Sequence, residues 1–90
     1  MSFDWDPTKD QINQEKHGIS FINAQRAFLD ANRKIAIDKG HSTKLETRYF
    51  CYGKIDGRVL TVRFTYRNEK IRIFGAGFWR EGKRKYEEKK

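Results

Sequence analysis

The chain has 90 residues, 37% hydrophobic and 36% charged, with seven Phe, four Tyr and two Trp, which makes one folded domain with a single modest core and excludes a disordered polypeptide. Its net charge of +8 is uneven: residues 1–33 carry four basic and five acidic side chains, so residues 34–90 hold +9, which favours nucleic acid or an acidic protein as partner. The single cysteine, Cys51, excludes internal disulfides and a cysteine zinc cluster, and the absence of a signal peptide or membrane-length apolar run predicts a cytoplasmic protein.

Ser2 to Trp5 can add a short edge strand or simply pack Phe3 and Trp5. Asp6 followed by Pro7 starts a helix, with Asp as N-cap and Pro at the first helical position, running to about Lys16 and closing on His17 and Gly18. Ser20 caps a second helix whose Phe21, Ala24, Ala27 and Phe28 share one face and which ends near Asp30. Lys34 to Lys39 is predicted as a strand with Ile35 and Ile37 inward, followed by a polar loop at residues 40–44. A strand from Leu45 to Ile55 turns at Asp56-Gly57, a strong type I′ signal, into a block of alternating β-formers and arginines from Arg58 to Arg80. Within the block, Asn68 and Glu69 form a second two-residue turn. The GAG segment at 75–77 then interrupts the strand, and residues from about Arg80 to Glu88 form a short helix weakened by Gly82, with Lys89 and Lys90 frayed. The expected architecture is α+β: two N-terminal helices, a four-stranded antiparallel meander and a C-terminal helix, with the helices on the apolar face.

The two turns fix the register. Arg67 faces Lys70, Thr65 faces Arg72 and Arg63 faces Phe74 across the second hairpin; Arg48 faces Thr65 and Glu46 faces Arg67 across the first. One sheet face therefore carries Arg63, Arg67, Lys70 and Arg72 with two threonines. The other carries Leu60, Val62, Phe64, Tyr66, Ile71 and Ile73, with Cys51 as a small core residue beside Val62. Arg48, Thr65 and Arg72 form one row on the basic face, and Glu46, Arg67 and Lys70 the next.

Planar guanidinium forks match phosphate oxygens and stay charged, so Arg48, Arg67 and Arg72 can hold a phosphodiester and offset charge developing in its transition state. Glu46 can take a proton from a ribose 2′-hydroxyl, although neighbouring arginines lower its basicity. His41, in the loop before Glu46 and Arg48, is a candidate proton donor to the leaving 5′-oxygen. The bland alternatives are an ordinary Glu46–Arg67 surface pair and a solvated His41. Like charges at Arg67 and Lys70 directly opposite each other weigh against a merely solvated face. His17 fits a structural role at a helix C-terminus, and two histidines 24 residues apart without a third ligand make a poor metal site. Phe78 and Trp79 can stack on bases or pack against the sheet.

The segments FDWDPTK, KHGISF, HSTKLETR, TYRNEKIRI and the late YEE, in this order over nearly the whole chain, resemble the BrnT family of type II toxin–antitoxin systems. The resemblance implies a ribonuclease toxin with a RelE-like fold, inhibited by a small partner antitoxin, BrnA, that also binds the operon's DNA. Matched by position, His41, Glu46 and Arg48 lie in its HS…ExR element and Arg67 and Arg72 in its last hairpin. Two departures stand out. The HS-to-Glu spacing is one residue longer, and GAGFWR replaces the usual ISAR, so an arginine expected near Gly77 is missing and Arg80 is the candidate substitute.

The resulting expectation is a cytoplasmic, metal-independent endoribonuclease without cofactor or membrane association, in a heteromeric complex with a BrnA-like antitoxin. Its expected catalytic residues are Glu46, Arg48, Arg67 and His41, with RNA bound by Arg63, Lys70, Arg72 and Arg80. The alternative is a non-catalytic basic module that binds nucleic acid or an acidic protein.

Overall fold

The computed structural model describes residues 1–89; Lys90, expected to fray, lies outside the described residues. Three helices and five strands follow the order β1 (Phe3–Trp5), α1 (Pro7–His17), α2 (Phe21–Ala24) with a 3-10 continuation over Gln25–Leu29, β2 (Lys34–Ile37), β3 (Arg48–Ile55), β4 (Arg58–Arg67), β5 (Lys70–Gly77) and α3 (Arg80–Glu87). The strands form one mixed sheet in the order β1-β5-β4-β3-β2.

The helix signals act as read. Asp6 accepts a hydrogen bond from the Thr8 amide, Ser20 accepts one from Asn23, and Gly18 closes α1 with φ 69°, a left-handed conformation that glycine adopts without penalty. Both hairpins form in the expected register: Arg48 pairs with Thr65, Cys51 with Val62, Thr65 with Arg72 and Arg67 with Lys70. Positive φ at Asp56, Gly57, Asn68 and Glu69 gives each turn the twist that a two-residue hairpin needs.

Four expectations about the strands are corrected. The sheet is five-stranded and mixed, because β1 docks parallel to β5, with Asp4 level with Arg72. The third strand begins at Arg48 rather than Leu45: Thr43 Oγ1 accepts from the amides of Leu45 and Glu46, folding residues 43–46 into a turn. Ile35 and Ile37 are exposed, since β2 is an edge strand beyond the reach of the helix layer. Finally, β5 continues through the glycines to Gly77, and its irregularity is a bulge at Phe74, so Arg63 lies opposite Gly75 rather than Phe74.

Helix α2 and its 3-10 continuation cover one sheet face, where Phe21, Ala24, Ala27 and Phe28 meet Cys51, Leu60, Val62, Phe64 and Ile73, all nearly or fully buried. Burial pushes the Cys51 thiol up to about 12, so it acts as a small hydrophobe. Helix α1 runs past the β5 edge, and the buried Asn13 side chain hydrogen-bonds both the N–H and the C=O of Ala76, extending the edge closure that β1 begins at Ile71–Ile73. Helix α3 does not join the apolar face as expected. It lies on the opposite face over Tyr52 and Thr61, because Gly82 has no side chain to hold it away and Trp79 lies over Gly77.

Gly53 on β3 is the tightest approach in the apolar layer: a Cβ there would overlap the Ala27 carbonyl oxygen. Because the obstruction is backbone, Gly53→Ala is expected to destabilise the fold by about 1–3 kcal/mol, measured as a lower urea midpoint at unchanged slope. An unchanged midpoint would contradict the packing at this position.

Candidate nucleic-acid interface

The exposed half of the basic face is built by the starts of β3 and β5, the end of β4, and the loop between β2 and β3. Arg67 Nη2 donates to Glu46 Oε1 at 2.8 Å, and Arg48 Nη2 lies 3.8 Å from Glu46 Oε2, so both oxygens of this carboxylate face a guanidinium. The Arg67 hydrogen bond, aided by the charges of Arg67 and Arg48, holds the Glu46 carboxyl below its ordinary value. Glu46 thus stays ionised as pH falls below the usual carboxylate range, and the pairing is lost only when it finally protonates.

Phe74 organises the centre. Alternation from Lys70 and Arg72 sets it on the basic side, and the bulge brings Gly75 there next; the Arg48 guanidinium sits 4.2 Å from the Phe74 ring centroid, Lys9 Nζ 5.2 Å and the Arg67 guanidinium 5.9 Å. An aromatic ring thereby gathers three cations from α1, β3 and β4. Thr65, expected as an exposed neighbour, is buried and donates its hydroxyl to the Thr47 carbonyl at 2.6 Å.

The loop carrying His41 is fastened to Arg48. The Asp38 amide donates to the Arg48 carbonyl, while the Ser42 hydroxyl accepts from the Arg48 amide at 2.8 Å and donates to the Asp38 carbonyl at 2.7 Å. The Asp38 carboxylate is buried and lies 2.8 Å from His41 Nδ1, whereas the His41 side chain is 56% exposed. A carboxylate oxygen accepts, so Nδ1 donates in this contact and Nε2 is the ring nitrogen that Asp38 does not engage. This is the orientation that proton transfer requires.

Of the candidates, Glu46, Arg48 and Arg67 come together as the register implies, and His41 is carried on a loop bound to the Arg48 backbone. Arg72 is level with Thr65 but is engaged by Asp4, its Nη1 donating to Asp4 Oδ2 at 2.7 Å; this contact lowers the Asp4 carboxyl. Lys70 ends the Arg67 row, and Arg63 lies farther along β4 beside Gly75. Arg80 does not join them. It stands at the start of α3 by the opposite end of the sheet, beside Arg58 and Lys54.

The sequence pattern does not mark Asp38, Asp4 or Lys9, and it sets Phe74 on the basic face only as the partner of Arg63. Asp38 lies only three residues before His41, a spacing that a local side-chain contact could have flagged. Asp4 and Lys9 gave no such signal, since they reach the face only through the parallel docking of β1 and the helix that follows it. Among the described residues, no cluster of three or more His, Cys, Asp or Glu side chains is arranged to hold a metal ion, and no helix is long and apolar enough to cross a membrane.

A protein-family model described as a ribonuclease toxin, BrnT, of type II toxin-antitoxin system matches residues 5–85, a span that contains every basic-face residue described above except Asp4. No curated protein sequence matches the chain.

Proposed function

The chain belongs to the BrnT family of type II toxin–antitoxin ribonuclease toxins, and from that premise we propose that it is a single-domain, metal-independent endoribonuclease acting in the cytoplasm through its Glu46–Arg48–Arg67–His41 face. The family implies an RNA substrate and an antitoxin partner. For this chain the partner is a small BrnA-like antitoxin, forming a heteromeric complex in which it covers the basic face or blocks access to it.

In the reaction, the ribose 2′-oxygen attacks the adjacent phosphorus and the bond to the 5′-oxygen breaks, leaving a 2′,3′-cyclic phosphate and a 5′-hydroxyl. Arg48 and Arg67 hold the phosphate oxygens and offset the charge that grows on them. Arg72, Lys70 and Arg63 extend the cationic surface along the substrate backbone. An arriving phosphate competes with Glu46 for Arg67; once released, the carboxylate regains basicity and accepts the 2′-hydroxyl proton. His41 acts as the imidazolium: Asp38 holds its Nδ1–H, and the Nε2 proton passes to the departing 5′-oxygen, leaving the neutral ring.

The observation that carries this reading is the carboxylate held by two guanidiniums beside a loop whose histidine is oriented by a buried aspartate. The test is incubation of the purified protein with RNA in excess chelator, with products resolved by end-group analysis. Cleavage leaving cyclic phosphate ends is expected. Cleavage only after a divalent metal is restored would remove the mechanism, and intact RNA under all conditions would favour a non-catalytic basic module.

A further inference from the structure

The opposite end of the sheet carries a second cationic concavity that the proposed reaction does not use. A cavity of about 560 Å³ opens between the Asp56-Gly57 turn and α3, lined by Lys54, Arg58, Val59, Phe78, Trp79 and Arg80 among others. A neighbouring cavity of about 450 Å³ shares Arg58, Phe78 and Trp79 and adds Lys16 and His17. Together they form a groove with an aromatic wall.

Its charges are available. Among the described residues, Lys16, Lys54, Arg58 and Arg80 form no ion pair within 4.0 Å; the one acid lining the groove, Glu87, lies 3.7 Å from Lys83. The Arg58 guanidinium carbon sits 3.9 Å from the Phe78 ring centroid, and the His17 ring meets Trp79 edge-on at 5.2 Å. Cations that follow a backbone, interleaved with aromatic and guanidinium planes on which bases stack, are the recognition chemistry of single-stranded nucleic acid.

We infer that this groove is a second RNA-binding site, which engages single-stranded substrate away from the point of cleavage. Arg58 and Arg67 are nine residues apart on β4, or about 30 Å at about 3.3 Å per residue. One strand of RNA reaching both ends therefore has to be longer than the few nucleotides that occupy the Glu46–Arg67 centre. Arg80, where the missing arginine near Gly77 would otherwise direct attention, serves this groove. The inference rests on the RNA reading of the basic face, and deepens it by making substrate affinity depend on length.

The test is fluorescence anisotropy with single-stranded RNA methylated at every 2′-oxygen, so that binding is read without cleavage and is independent of whether the protein is a nuclease. The variant is Arg58→Glu/Arg80→Glu, both exposed positions; its control is the same charge change at Arg33 and Lys89, also exposed and outside the groove. For an RNA of about 20 nucleotides, the groove variant is expected to bind at least about 10-fold more weakly, with the slope of log K against log salt reduced by roughly 1.4 for two lost phosphate contacts. For an RNA of about 4 nucleotides the loss should be under about 2-fold, and the control should lose under about 3-fold on either length. Unchanged affinity for the long RNA, an equal loss on both lengths or an equal loss in the control would each overturn the inference.

Discussion

His41→Ala is expected to lower RNA cleavage by roughly 10²–10⁴-fold, the range over which a positioned general acid or base contributes. The fold should be retained with a modest loss of stability, because the imidazole is 56% exposed and its removal opens no cavity but leaves Asp38 Oδ2 to water. Asp38→Asn should reduce turnover with little change in KM, since an amide can present its N–H₂ to Nδ1 and stabilise the other tautomer. RNA affinity, measured on non-cleavable substrate, should stay close to the parent in both variants. A His41→Ala protein that cleaves at the parental rate would remove His41 from the mechanism, and a kcat loss confined to Asp38→Asn would mean the aspartate acts through loop structure alone.

Arg67→Ala carries the next largest expected effect, a loss of about 10²–10³ in cleavage rate, equivalent to about 2.7–4 kcal/mol of transition-state stabilisation. Its effect on stability separates this reading from an ordinary surface pair. Arg67 is 44% exposed and Glu46 26% exposed, so as a surface ion pair they contribute about 0–1 kcal/mol to folding. A large activity loss at a nearly unchanged denaturation midpoint is therefore the predicted combination. Arg67→Lys should recover only part of the rate, because an ammonium replaces the planar fork with a point charge. Glu46→Gln should also lose activity if the carboxylate takes the 2′-hydroxyl proton; retained cleavage would restrict Glu46 to holding Arg67 in place. An Arg67→Ala protein as active as the parent would remove the assigned centre.

Much of this molecule is legible as a one-dimensional pattern. Asp6-Pro7, Gly18 and Ser20 mark helix ends through hydrogen bonds within a few residues, so their meaning does not depend on the rest of the fold. The turns at Asp56-Gly57 and Asn68-Glu69 fix strand register, and alternation then assigns each side chain to a face. That is why the sequence pattern alone sets Glu46 beside Arg67 and Arg48, and Cys51 against Val62. Glu46 reached its place without belonging to the strand, as the Thr43 turn delivers it to the same side.

The remaining features depend on contacts between segments distant in the chain. Periodicity gives no sign that Phe3–Trp5 would dock parallel to β5, so the pairing of Asp4 with Arg72 was hidden. Alternation predicts a face only while the strand is regular: it sets Phe74 on the basic side with Lys70 and Arg72, but the bulge at Phe74 breaks it beyond that point and puts Gly75, not Phe74, opposite Arg63. Ile35 and Ile37 have the pattern of inward residues, but burial needs a covering layer, and α2 with its 3-10 continuation does not extend over β2. Gly77 and Gly82 looked like weaknesses in their elements. They are instead where Trp79 and α3 close on the second face.

By itself the sequence determined the hairpin register, the basic face and the family resemblance, because each is encoded by spacing along the chain. Only the tertiary structure decided which cations share a centre: it bound the His41 loop to Arg48, joined Arg72 to Asp4, and sent Arg80 to the far end of the sheet. The physical reason is range. Turn geometry and side-chain alternation act over a few residues, whereas the direction from which α1, α3 and β1 approach the sheet is set by packing and edge pairing across the whole domain.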